Sequence, residues 1–160
     1  MAWTDDREKR VQPALHELGV EAVAVYSTAD SDALHVELAD QAVCIGPPAA
    51  AESYLEIPNI VAAAETTGCE AVHPGYGFLA ENDEFVRACE SSDLVFIGPS
   101  AEVVEQMGDK VRAKEILRRA GVPLVPGSDG AADLPDLQRA ARDAGFPVLL
   151  KASAGGGGKG

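Results

Sequence analysis

Ala71-Val72-His73-Pro74-Gly75-Tyr76-Gly77-Phe78-Leu79-Ala80-Glu81-Asn82 is the stretch on which the fold turns. A short β-type run ends at His73. A turn follows, built on Pro74, Gly75 and Gly77, and Asn82 then opens a helical segment with Phe85, Val86 and Cys89 on one side. That is one strand–loop–helix unit. Working outward, the same pattern recurs. Residues 22–26, 42–45 and 94–97 are short apolar runs of buried-strand type. Between them, Ile57, Ile60, Val61 and Ala64 line one face of a helix that Gly68 stops. A β-α-β-α order with short connections predicts an α/β fold, a parallel sheet with helices on both faces.

Beyond residue 98, Pro99-Ser100 caps a helix that Gly108 ends, and Asp109 starts another that Gly121 and Pro123 terminate. Residues 122–126 read as extended and 127–130 as a loop. Leu134, Leu137, Ala140, Ala141 and Ala144 share a helix face. Residues 146–151 read as a strand feeding a glycine run. A boundary near residue 108 divides a small α/β domain, 1–107, from the opening of a second, 108–160. At the other end the first eleven residues are polar, and a helical piece carries Pro13, which belongs near a helix start. An open α/β domain ordinarily begins with a strand near the middle of its sheet, so this sheet is expected to lack one strand.

Composition narrows the function. The 160 residues are 46% apolar, enough for a folded core, and no apolar run reaches the roughly 18 residues of a membrane span. The N-terminus carries no secretory pattern, so the cytoplasm is the expected compartment. A net charge of −13 argues against nucleic acid and anionic membranes as partners. Cys44, Cys69 and Cys89 show no metal-ligand spacing and read as buried free thiols.

Three places carry candidate chemistry. In Lys151-Ala152-Ser153-Ala154-Gly155-Gly156-Gly157-Gly158-Lys159-Gly160, consecutive glycines let backbone amides approach phosphate oxygens, and Lys151 and Lys159 add charge. The chain ends inside this loop, so the residues completing its chemistry are expected elsewhere. The loop fits neither the Walker pattern nor a dinucleotide fingerprint. Lys110, in the first turn of a helix, opposes the helix dipole; an anion ligand or a solvated lysine both explain it. His73 reads as bonded to its own turn. Tyr76 is either a core residue or, flanked by glycines at a strand's carboxyl end, a ligand contact.

Taken in order, these residues resemble the N-terminal part of biotin carboxylase. The likeness includes Glu17-Leu18-Gly19, Val23-Ala24-Val25-Tyr26-Ser27, Ala29-Asp30, Val43-Cys44-Ile45-Gly46-Pro47 and Glu52-Ser53-Tyr54-Leu55. It continues through the stretch quoted above, Phe96-Ile97-Gly98-Pro99, Met107-Gly108-Asp109-Lys110, Pro126-Gly127-Ser128 and the glycine loop. The resemblance implies a Rossmann-like parallel sheet over 1–107, without its first strand, followed by the truncated start of an ATP-grasp domain over 108–160. It implies an ATP-dependent ligase in which ATP phosphorylates bicarbonate and the carboxyl group moves to N1′ of carrier-bound biotin. Lys110 and Lys151 would contact ATP, Gly157 and Gly158 would form the lid over the triphosphate, and Lys159 would add a phosphate contact. Tyr76 and Gly77 would border the biotin pocket.

No catalytic residue and no Mg2+ ligand of the family is expected in these 160 residues. The implied partners are a biotin carboxyl carrier protein or domain, a carboxyltransferase subunit and a second copy in a homodimer. An acetyl- or propionyl-CoA carboxylase serving fatty acid biosynthesis is the implied setting, and the chain alone is expected to be inactive. Two alternatives stand beside this reading. One is another ATP-grasp ligase, against which His73-Pro74-Gly75-Tyr76-Gly77 with Glu81-Asn82 argues. The other is a remnant or interaction module that pairs with a carboxylase.

Overall fold

The computed structural model describes residues 8–150 except 126, 127, 129 and 132, and at 8–10 and 110 the backbone alone. The chain divides into two compact units, Met1–Ala101 and Glu102–Gly160.

In the first unit the order is α1 (Glu8–Glu17), β1 (Val23–Ser27), α2 (Leu34–Leu38), β2 (Gln41–Gly46), α3 (Ile57–Thr67), β3 (Ala71–Val72), α4 (Asp83–Ser91) and β4 (Val95–Phe96). Single 3-10 turns follow β1 at Thr28–Asp30 and β2 at Ala50–Glu52. All four strands fall where the apolar runs predicted them. Helix α3 begins with Pro58 in its first turn and ends at Gly68, whose φ of 71° is the left-handed conformation that glycine adopts without a Cβ penalty. Helix α4 starts because the Asn82 side chain accepts the Phe85 amide.

The strands are parallel, as expected, but their ladders are not continuous. β1 pairs with β2, Val23 opposite Gln41 through Tyr26 opposite Cys44. β3 pairs separately with β4, Ala71 opposite Val95 and Val72 opposite Phe96. Among the described residues the expected single sheet is therefore two two-stranded ladders. A doubly wound sheet places its first strand centrally, and no strand that would join the ladders lies among the described residues. The core fills on one side of β3 and β4: Ala64, Leu79, Phe85, Cys89 and Leu94 form a buried cluster against Ile57, Ile60, Val61, Cys69, Val72 and Phe96. Phe85 meets Phe96 edge to face at 5.9 Å.

Two further expectations fail in this unit. Pro13 lies well inside α1 rather than near its start. Tertiary bonds hold the helix there: Gln12 Nε2 donates to the His35 carbonyl at 2.7 Å, and His16 Nε2 lies 3.0 Å from Asp40 Oδ2. The reading of three buried thiols holds only for Cys89; Cys69 is half-buried and Cys44 exposed, because side chains alternate along β2 and Ile45, not Cys44, takes the buried face.

The second unit contains α6 (Lys110–Arg119) and α7 (Leu134–Ala144), preceded by α5 (Ala101–Gly108), whose first residue closes the first unit. Asp109 caps α6, its carboxylate accepting the Val111 and Arg112 amides, and Asp133 caps α7 by accepting the Asp136 amide. The segment 146–150, predicted as a strand, is not one, and Phe146, Leu149 and Leu150 are exposed. The described residues of this unit hold no other strand, and a strand without a partner forms no ladder. Among the described residues no helix is long and apolar enough to cross a membrane.

Candidate functional site at the carboxyl ends of the strands

The loops that leave β1, β2 and β3 at their carboxyl ends are tied to one another. The end of β1 contributes Ser27, the loop after it contributes Asp30, and the loop after β2 contributes Tyr54. The Tyr54 hydroxyl donates to Asp30 Oδ2 at 2.6 Å and accepts the Ser27 amide at 2.8 Å. Ser27 Oγ donates to the same Asp30 oxygen at 2.8 Å. The phenol hydrogen bond holds the Asp30 carboxyl below its ordinary value, against the opposing effect of burial. Burial first, and then the Asp30 carboxylate, raises the Tyr54 hydroxyl.

The turn that delivers Tyr54 is itself fixed. Gly46 ends β2 at φ 150°, where a Cβ would stand 2.2 Å from the Glu52 carbonyl oxygen. Ser53, fully buried, donates its hydroxyl to the Ala49 carbonyl at 2.9 Å. Asn59 donates to the Ile45 carbonyl at 3.0 Å and so binds the start of α3 to the end of β2.

The loop after β3 stands on this platform. Phe78 stacks on Tyr54, with ring centroids 5.1 Å apart and 20° between planes. Gly75 and Gly77 have φ of 66° and 80°, and Phe78 itself is at 41°. His73 plays the structural part expected of it, its Nδ1 accepting the Gly75 amide at 3.1 Å. Tyr76 is 63% exposed, so the core reading of this residue fails. Such a loop can offer an aromatic face and glycine backbone to a small planar ligand.

Of the other predicted residues, Lys110 is the first residue of α6, directly after the Asp109 cap. Lys151, Gly157, Gly158 and Lys159 lie outside the described residues. Among the described residues no three His, Cys, Asp or Glu side chains are grouped to hold a metal ion. Sequence reasoning gave no role to Ser27, Asp30 or Tyr54. The only local signal was the Ser27-x-x-Asp30 spacing after a strand, and their meeting with Tyr54 is a tertiary event. An open groove of about 420 Å³ between β2 and α3, bordered by Cys44, Asn59 and Thr66, contains none of the predicted residues.

Comparison with known proteins places this geometry. Residues 7–104 match the family described as biotin carboxylase, N-terminal domain, and residues 109–160 match the carbamoyl-phosphate synthase L chain, ATP binding domain. The chain is 56% identical over 155 residues to biotin carboxylase of Pseudomonas aeruginosa, covering 94% of this chain and 34% of that one. It superposes on a biotin carboxylase–β-γ-ATP complex from Campylobacter jejuni with TM-score 0.88 and 49% identity, covering 96% of this chain and 34% of that one. For the biotin carboxylase domain dimer of Hydrogenobacter thermophilus 2-oxoglutarate carboxylase, solved with MgADP, ADP and bicarbonate, the TM-score is 0.87 at 52% identity, covering 94% and 33%. The chain thus spans about a third of the length of the relatives it matches.

Proposed function

The chain belongs to the biotin carboxylase family, and from that premise we propose that its residues form the opening part of an ATP- and bicarbonate-dependent ligase that carboxylates carrier-bound biotin. The observation that carries the reading is the order of the two matches: a biotin carboxylase N-terminal domain, then an ATP-binding domain. In this reading the domains meet near residue 108, at the break between α5 and the capped α6. Lys110 and Lys151 engage ATP, Gly157 and Gly158 close over its phosphates with Lys159 beside them, and Tyr76 and Gly77 border biotin. Their chemistry is that of binding and orientation: ammonium groups and glycine amides neutralise and hold phosphate, and the loop after β3 presents an aromatic edge.

The same proposal assigns the cytoplasm as compartment, and a carrier protein or domain, a carboxyltransferase and a second copy of the chain as partners. An acyl-CoA acceptor and a place in fatty acid synthesis belong to it as one assignment, although a relative acts within a 2-oxoglutarate carboxylase. The acceptor is read by the carboxyltransferase and leaves no mark on these residues.

The test is titration calorimetry with ATP on a carboxylase of the relatives' length that opens with these 160 residues. Lys110→Met and Lys151→Met each weaken ATP by about tenfold or more, as expected for lost hydrogen bonds to charged groups. Unchanged affinity in both variants would overturn the assignment. A second reading, an interaction module that pairs with a carboxylase, is favoured by the two ladders, whose edges are unpaired among the described residues. Co-purification of the 160-residue chain with a carboxylase subunit supports it, and a monomer that ignores that subunit removes it.

A further inference from the structure

The loops after β1, β2 and β3 converge on one side chain. Tyr54 is held at its hydroxyl by the Ser27 amide and the Asp30 carboxylate, and its ring lies against Phe78. Phe78 has φ 41°, a conformation unfavourable for a residue with a Cβ, and it comes directly after Gly77 and the exposed Tyr76. A stacked ring holds Phe78 in that conformation only if the ring beneath it is itself fixed. Phenylalanine at 54 would supply the same face without the two hydroxyl bonds that set its position. Asp30 Oδ2 takes hydrogen bonds from both Tyr54 and Ser27 Oγ, so the anchor reaches back to the end of β1.

We propose that Tyr54 is a positioning residue for the loop 73–82, its hydroxyl anchored on Ser27 and Asp30 so that its ring holds Phe78 and thereby presents Tyr76 and Gly77. The proposal deepens the ligase reading by naming what orders its biotin-side loop, and it rests on that reading only for the identity of the ligand the loop meets.

The experiment is amide hydrogen exchange on the 160-residue chain without nucleotide or biotin, so its outcome is independent of the ligase assignment. The reporters are the Gly75, Ala80 and Asn82 amides, each of which donates a hydrogen bond within the loop, to His73 Nδ1, the Gly77 carbonyl and the Leu79 carbonyl respectively. Tyr54→Phe, which keeps the ring, and Asp30→Ala each speed their exchange about tenfold, since both remove the Tyr54–Asp30 hydrogen bond that anchors the ring. The double variant is no faster than either single one, because both break the same chain of contacts. Asp30→Asn, which retains an acceptor oxygen, restores most of the protection. The α4 amides of Val86 and Cys89 do not change. Loop exchange that stays at the wild-type rate in Tyr54→Phe overturns the proposal. So does an equal acceleration at Val86 and Cys89, which would mark a general loss of stability. Should Asp30→Ala fail to fold, Tyr54→Phe and Asp30→Asn alone decide between these outcomes.

Discussion

Gly46 and Gly68 separate two reasons for a glycine. Both have positive φ, but a Cβ at Gly68 would meet nothing within 4 Å, whereas at Gly46 it would stand 2.2 Å from the Glu52 backbone oxygen. Gly68→Ala should therefore cost only the conformational term, about 1 kcal/mol, while Gly46→Ala adds a clash with main chain that cannot rotate away, about 3 kcal/mol in all. Urea denaturation of the two variants gives the comparison, and equal losses would refute it. The neighbouring loop after β1 carries an ionisable signature. The folded-state carboxyl of Asp30 titrates below its ordinary 3.8, chiefly through the Tyr54 phenol. A depressed carboxyl stabilises the fold above its unfolded value, and that contribution is lost as pH falls through the folded one. Wild type should thus exceed Asp30→Asn in denaturation midpoint at about pH 7, with the gap closing below 3.8. A gap that persists undiminished to about pH 2 would show that Asp30 acts by geometry alone.

At the scale of elements, α1 is where local and tertiary preferences conflict. Pro13 inside the helix removes an amide donor and crowds the Lys9 carbonyl, yet the helix persists through the Gln12–His35 and His16–Asp40 bonds. Pro13→Ala relieves the conflict and should stabilise the chain by up to about 3 kcal/mol, read as a higher denaturation midpoint with greater helicity. No gain would mean that α1 is already bent around the proline at no cost. The contrast with α3, α4 and α6 explains what a sequence discloses. Gly68, Asn82 and Asp109 punctuate helices by chemistry contained within a few residues, so those helices were legible. Pro13 was misplaced because its tolerance depends on His35 and Asp40, more than twenty positions away. Residues 146–150 carry a strand's composition, but a strand exists only with a partner. The site divides in the same way. Gly75 and Gly77 advertise the loop around Tyr76, while Asp30 and Tyr54, 24 residues apart, become a pair only once β1 and β2 lie side by side.

For the whole molecule, the two ladders set an exposed backbone edge against a large like charge. The Val95 and Ile97 amides donate to the Glu70 and Val72 carbonyls at 2.9 Å, so alternation along β4 directs the Phe96 amide to the far edge. The Val95 side chain is 63% exposed and that of Ile97 47%, which makes this edge an apolar template for another strand. Opposing this is the net charge of −13, which drives copies of the chain apart over a distance that salt controls, about 8 Å at physiological ionic strength. The balance predicts a specific exchange pattern. In dilute, low-salt solution the Phe96 amide is expected to exchange about tenfold or more faster than its two neighbours, which donate to the Glu70 and Val72 carbonyls. Raising salt and protein concentration together screens the repulsion, so copies meet edge to edge and Phe96 gains protection while the sedimentation coefficient rises. If Phe96 is instead as protected as Val95 and Ile97 at every concentration and ionic strength, a strand of the same chain already covers that edge. The picture of two separate ladders would then be wrong.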